Sequence, residues 1–274
     1  MDKCTILLEN NKSELLSAQT EHGLSLLIEI ENDKFLFDLG ATDLFINNAK
    51  LMNIDLSCIN SIILSHSHYD HCSGLLSLLK KETIKEIYVG ENFFKEKYAI
   101  KDRKITYLGC GFDKKYLQKN NIKINIIKDL IKLNKSLYLV TNFKQHYKHE
   151  TILKKFVHGE INQLEKDLFL DEIVLVKENK NDLTLIVGCA HRGILSIIKT
   201  VNSKFDKKVS AIIGGVHLNQ ADNYIIESTT KELVKLGIKN TFFCHCSGKK
   251  ISEHIRENTN IEANNVATGD IILL

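Results

Sequence analysis

The chain has 274 residues, 43% of them hydrophobic and 26% charged, an ordinary globular composition that excludes wholesale disorder and allows a sizeable core. Thirty-seven Lys and Arg against 34 Asp and Glu give a formal net charge of +3, too slight a surplus to mark a nucleic-acid or membrane surface. No apolar run approaches the ~20 residues of a spanning helix, and the opening "MDKCTILLENN" lacks the basic and cleavable pattern of a signal peptide, so the expectation is a cytoplasmic protein.

In chain order, short runs rich in Ile, Leu, Val and Phe predict strands: "CTILLE", "LSLLIEI", "KFLFDLG", "SIILS", "EIYVG", "SLYLV", "EIVLVK", "LTLIVG", "VSAIIGG", "NTFFCH" and, at the end, "DIILL". Amphipathic periodicity predicts helices over 43–52, 74–81, 192–201, 222–236 and 249–257. Strands come in quick succession in the first half and mix with helices in the second. This predicts an α/β (α+β) fold, sheets covered on their outer faces by helices. No Gly- or Ser-rich linker divides the chain, so a single domain over 1–274 is expected. The region 95–159, rich in Lys, Asn and Tyr, stands apart as a lid or insertion. Its "NFKQHYKHE" sets His146 and His149 among lysines, the composition of a solvated basic face. The seven cysteines, at 4, 58, 72, 110, 189, 244 and 246, are odd in number and scattered, which predicts reduced thiols rather than a disulfide framework.

The stretch "IILSHSHYDHCSG", from Ile62 to Gly74, carries the strongest chemical signal. His66 and His68 are two apart, so an extended backbone would point both imidazoles to one side, where they can share a metal ion. Asp70 and His71 follow where the chain turns into a helix and would aim beside the first pair. That arrangement suits two neighbouring cations, about 3.5–4 Å apart. Imidazole and carboxylate suit zinc, and also iron or manganese. A run of the form H-x-H-x-D-H arises by chance in roughly one chain in a thousand of this length, so the set is not accidental.

Three later strand-like runs end the same way: "LTLIVGCAH" delivers His191, "VSAIIGGVH" delivers His217 and "NTFFCHC" delivers His245. Strands that each present a histidine at one edge would assemble a site from distant sequence. Asp38 ends "KFLFDLG". It either accepts a hydrogen bond from a metal-bound histidine or closes the turn before Gly40.

The pattern H66-S-H68-Y-D70-H71 with two later histidines resembles the metallo-beta-lactamase superfamily, over most of the chain from "FLFDLG" to "HCSG". The resemblance implies a four-layer αββα sandwich with a dinuclear centre, His66, His68 and His191 on one ion and Asp70, His71 and His245 on the other. Where the superfamily supplies a bridging carboxylate, this chain has "IIGGVHL", with Gly215 or His217 at the comparable place. His217 is then a terminal ligand, a substrate contact or outside the shell. The words "EHGLSLLIE", "GCAHRGI", "GGVHL" and "HCSG" resemble the branch that includes the archaeal dihydropterin-6-methyl-aminobenzene ribofuranosyl phosphate synthase. That branch implies that His22 faces the active site and that Cys246 stands where similar sequences often have Thr.

The leading expectation is a metal-dependent hydrolase of an ester or phosphoester-type small molecule, with Asp70 orienting the attacking water and carrying a proton. Two divalent ions, zinc before iron or manganese, and an anionic small-molecule substrate follow; self-association is left open, and no nucleic-acid or membrane partner is expected. The alternative, from the nearest branch, is a transferase joining a dihydropterin methylene diphosphate to an arylamine. A second alternative is a non-catalytic sensor or redox module. No Ser–His–Asp or P-loop pattern competes.

Overall fold

Runs of β-branched, leucine and aromatic residues, buried on both faces, build the central strands of the two large sheets. The structure is a computed structural model and describes residues 1–13 and 17–274. Its strands among these residues are β1 (Lys3–Leu8), β2 (Ser25–Ile30), β3 (Asp33–Phe37), β4 (Ser61–Ile63), β5 (Glu86–Gly90), β6 (Lys97–Lys101), β7 (Lys104–Tyr107), β8 (Lys123–Ile127) and β9 (Leu130–Lys132). They continue with β10 (Leu137–Val140), β11 (Phe156–His158), β12 (Glu165–Lys166), β13 (Val174–Glu178), β14 (Leu183–Val187), β15 (Val209–Gly214), β16 (Asn240–Phe243), β17 (Glu262–Asn265) and β18 (Ile271–Leu273). The helices are α1 (Leu44–Leu51), α2 (Tyr69–Cys72), α3 (Leu75–Leu78), α4 (Lys114–Lys119), α5 (Ile194–Asn202), α6 (Asn223–Lys235) and α7 (Lys249–Asn258). None among the described residues is long and apolar enough to cross a membrane.

The chain groups into two units. The first comprises Met1–Lys128, Ile152–Asp171 and Ala267–Leu273; the second comprises Asp129–Thr151 and Glu172–Val266, with Leu274. The chain passes between them repeatedly, so no single linker marks the division in the sequence. The first unit holds a seven-stranded sheet in the order β18-β1-β2-β3-β4-β5-β8 and a four-stranded sheet β12-β11-β6-β7. The second holds a seven-stranded sheet ordered β17-β16-β15-β14-β13-β10-β9. Region 95–159 is therefore not one separate body: β8 extends the first large sheet, β9 and β10 extend the second, and β6, β7 and β11 build the small one.

Both large sheets are built alike. In the first, β18, β1, β2 and β3 pair antiparallel and β3, β4, β5 and β8 pair parallel. In the second, β9, β10, β13 and β14 pair antiparallel and β14, β15, β16 and β17 pair parallel. Parallel pairing demands crossover connections, and α1, then α5, α6 and α7, supply them. In the first unit Phe45 and Ala49 of α1 and Leu75 and Leu78 of α3 pack with Leu27, Leu36 and Ile62 of the sheet. In the second, Ile194, Leu195, Ile197 and Ile198 of α5, with Ile226, Leu233, Ile251 and Ile255 of the later helices, pack with Leu185 and Ile212.

Local chemistry sets the helix ends. Asp222 caps α6 by accepting from the Ile225 amide at 2.9 Å, and Gly237, at φ 79°, follows its last turn. The five helices expected from periodicity all form, the one over 74–81 only as the short α3 with a following turn. The small sheet, α2 and α4 carry no comparable pattern: β7 is exposed throughout, and α2 has 4 residues.

Candidate metal centre

In open parallel sheets, sites form beyond the carboxyl ends of the strands, and every candidate ligand beyond residue 60 follows that rule within its own unit. In the first unit, β4 ends at Ile63 and the chain bends through Ser65, His66 and Ser67 into α2. The serines anchor the loop. Asp38, just beyond β3, accepts from the Ser65 amide and hydroxyl, both at 2.7 Å. Asp171 accepts from the Ser67 amide at 2.9 Å and its hydroxyl at 3.1 Å. Residues between the anchored serines and after them are thereby turned inward: the His66 and His68 rings lie 4.6 Å apart, and those of His66 and His71 lie 4.3 Å apart.

Asp38 also receives His71: Nδ1 lies 2.7 Å from Oδ2, with both side chains fully buried. Asp38 thus orients a histidine, and it does so with a left-handed backbone at φ 60° just before Gly40, a cost tolerated where the surroundings over-determine it. Ser65 Oγ similarly lies 2.9 Å from His66 Nδ1. With Nδ1 of both rings engaged by hydrogen-bonding side chains, Nε2 is the nitrogen presented for ligation, the usual arrangement of a metal-bound imidazole. Asp70, buried at the start of α2, places Oδ2 3.7 Å from His71 Nε2 and 3.2 Å from His22 Nε2. The Asp70 carbonyl accepts from the Leu24 amide at 3.1 Å, and Gly23 is small because a Cβ there would stand 2.7 Å from that carbonyl. His22 itself is 59% exposed. The structure thus brings His22, His66, His68, Asp70 and His71 together in one unit.

A buried ion cluster supports this loop. Lys97 Nζ lies 2.7 Å from Asp171 and 2.9 Å from Asp167, with all three side chains buried. Burial would depress the lysine pKa, but Asp171 and then Asp167 outweigh it and hold the value above the ordinary range. The same ammonium sits 4.3 Å over the Phe169 ring. Phe169 meets the edges of His66 and His68, and Phe156 lies 5.4 Å from His68, which walls the imidazoles with apolar surface.

In the second unit, β14, β15 and β16 end before His191, His217 and His245 respectively. Ala190, His217 and His245 all take positive φ, from 51° to 53°, so each strand ends in a tight left-handed turn. The rings of His191 and His217 lie 4.4 Å apart. Glu172, buried, accepts from the His191 and Arg192 amides, each at 2.7 Å. Glu150 accepts from Leu195 and Ser196 at the start of α5, at 2.6 and 2.9 Å. Burial raises its pKa above the ordinary carboxyl range despite those donors.

Of the two residues compared with a bridging carboxylate, Gly215 stands in a crowded turn. A Cβ on Gly215 would collide with the Gly188 carbonyl and stand 2.7 Å from Cys246 Sγ, so no carboxylate can grow there. The Gly188 carbonyl and the Cys246 sulfur fill that space. Cys246 Sγ lies 3.3 Å from Cys189 Sγ and accepts the His217 amide at 3.2 Å. The basic face expected around 146–149 lies beside α5: Lys199 stands 5.5 Å over Tyr147, and burial, then Lys199 and Lys144, push His146 below the ordinary histidine pKa. Sequence reading missed Asp171, Glu172, Glu150 and Lys97. The signal was present for two of them, since "FLDEIVL" sets two acids inside an apolar run, where charges persist only if paired.

The donor set fits a borderline divalent cation: imidazoles oriented by carboxylate or hydroxyl, one further carboxylate, and buried surroundings. The matching family model, described as the metallo-beta-lactamase superfamily, covers residues 19–174. The 7,8-dihydropterin-6-methyl-4-(beta-D-ribofuranosyl)-aminobenzene-5'-phosphate synthase of Methanocaldococcus jannaschii is 33% identical over 271 residues, covering 92% of this chain and 90% of that protein. The protein MJ0448 of the same organism, of uncharacterised function, is 31% identical over 227 residues, with 80% and 81% covered. Among solved structures, Tm1679, described as a metal-dependent hydrolase of the beta-lactamase superfamily, matches with a TM-score of 0.86 at 25% identity, covering 100% of this chain and 99% of that one. On the family model, the relatives and the fold together, this chain belongs to the metallo-beta-lactamase superfamily.

Proposed function

We propose that the protein is a metal-dependent hydrolase of an anionic, ester or phosphoester-type small molecule. The ligands proposed are His66, His68 and His191 for one divalent cation and Asp70, His71 and His245 for a second, zinc being the first candidate. Bound cations would supply Lewis acidity, lowering the pKa of water towards neutrality and polarising the oxygen under attack. The chain's own residues supply orientation and proton handling. The observation that carries this reading is the Asp70 carboxylate, one oxygen of which faces both His71 Nε2 at 3.7 Å and His22 Nε2 at 3.2 Å. Asp70 is buried and His22 is open to solvent, so the pair offers a proton route from the reacting centre to the surface. Asn10 Nδ2, 3.5 Å from His22 Nδ1, steadies the outer ring. The apolar wall of Phe156 and Phe169 keeps water away from the back of His68.

A second reading is supported by the 33% identity to a synthase. In it the same residues assist departure of a phosphorylated group while an amine, rather than water, attacks; the basic face around Lys144 and Lys199 would bind the phosphates. One experiment separates the two. The purified, metal-loaded protein is incubated with phosphodiesters, lactones and a pterin methylene diphosphate, with and without an arylamine. Product without the amine supports hydrolysis; product only with it supports transfer. No turnover of any of them, with full metal content, would refute both.

A further inference from the structure

Two cysteines of the second unit have no part in the hydrolytic reading, yet they stand together with a histidine. One donor atom each from Cys189, His217 and Cys246 lies within 4.8 Å of the other two. The two sulfurs are 3.3 Å apart. A tetrahedral ion bound by sulfur at about 2.3 Å and imidazole nitrogen at about 2.0–2.1 Å keeps its donors roughly 3.5–4 Å from one another, so the cluster needs only small shifts to close on one. Buried cysteines are ordinarily inert hydrophobes, and both of these are buried.

Two features argue against that ordinary role. Cys246 Sγ accepts a backbone N–H, from His217 at 3.2 Å, the kind of outer hydrogen bond that orients a ligand and tunes its charge. The strand-end turn that makes this contact puts His217 in a left-handed conformation at φ 51°, a strained backbone for a non-glycine residue that functional sites tend to keep. Gly215, beside it, has no room for a side chain, since a Cβ there would collide with the Gly188 carbonyl oxygen and stand 2.7 Å from Cys246 Sγ. The sulfur is thus packed tightly against the turn.

We propose that Cys189, Cys246 and His217 form a soft, thiolate-containing donor set that binds a thiophilic divalent cation of the zinc class and leaves its fourth position open. Softness separates this set from the imidazole and carboxylate ligands of the hydrolytic reading, since thiolates select thiophilic ions over manganese or magnesium.

Cobalt(II), bound to the metal-stripped protein, reports the ligands directly through its thiolate-to-cobalt charge-transfer band in the near ultraviolet. The band is expected in the parent, weakened in Cys189→Ser and in Cys246→Ser, and absent from the double variant. A donor atom of Cys189 also lies within 4.8 Å of one on His191 and of one on His245. The band is expected to persist in the His66→Ala, His68→Ala double variant, and its loss there would assign the thiolate to the hydrolytic centre and overturn a separate site. No band in the cobalt-saturated parent, or a band that survives in the double serine variant, overturns the proposal. If the serine variants fail to fold, X-ray absorption of the zinc-loaded parent decides: a sulfur shell at about 2.3 Å supports the site, and a shell of nitrogen and oxygen alone overturns it.

Discussion

Asp38 Oδ2 and His71 Nδ1 meet at 2.7 Å with both side chains sealed from solvent, and the same carboxylate holds the Ser65 amide and hydroxyl. One residue therefore fixes the tautomer of one proposed ligand and the loop that carries two others. Asp38→Asn replaces an acceptor oxygen with an N–H₂ group facing donors. Metal affinity is expected to fall about 10–100-fold, measured by competition with a chromogenic chelator. An unchanged affinity would mean that His71 is not a ligand.

Lys97 is the counter-charge for two buried carboxylates, one of which anchors Ser67. Lys97→Met leaves Asp167 and Asp171 buried without it and is expected to cost about 3–5 kcal/mol, read as a lower urea midpoint. The folded pKa of this lysine lies above the ordinary 10.5, so on raising the pH the unfolded chain loses its proton first. The stabilisation is thus complete below the unfolded value and is lost as the pH rises through the folded one. A parent whose alkaline loss of stability is no steeper than that of Lys97→Met would contradict this.

Gly215 tests whether the turn after β15 can admit a carboxylate. Gly215→Ala meets the Gly188 carbonyl and Cys246 Sγ and is expected to destabilise by about 1–3 kcal/mol through overpacking. Gly215→Asp should be no better and should add no metal equivalent. A stable, metal-richer Gly215→Asp protein would show that the turn can open.

His22 is exposed, with Nε2 3.2 Å from Asp70 Oδ2 and Nδ1 3.5 Å from Asn10 Nδ2. His22→Ala should leave thermal stability within about 0.5 kcal/mol of the parent and leave metal content intact, while turnover of whichever substrate is found falls on the order of 10²–10⁴-fold if the ring moves a proton. Turnover equal to the parent's would remove it from the mechanism.

Much of the fold was legible because buried parallel strands announce themselves: "LTLIV" and "VSAIIG" became β14 and β15 with almost every side chain buried. The small sheet was not, because β6, β7 and β12 carry mixed polar residues with no period to read. For the site, H-S-H-Y-D-H named one cluster and three strand ends named the other. What stayed hidden were the partners that hold those loops, since Ser67 and Asp171 are 104 residues apart. Asp171 and Glu172, adjacent in sequence, each anchor a different histidine-bearing loop, a division of labour that side-chain type alone does not reveal. Cys189 was passed over because a thiol two residues before a histidine has no meaning until the chain folds Cys246 beside it.

The central claim is that these imidazoles hold metal. Its most direct test is the metal content of the parent and of the His66→Ala, His68→Ala double variant, each saturated with zinc, freed of excess and measured by elemental analysis, with folding checked by circular dichroism. The account predicts that the folded variant carries at least one equivalent fewer than the parent. Equal content in the two proteins would contradict it.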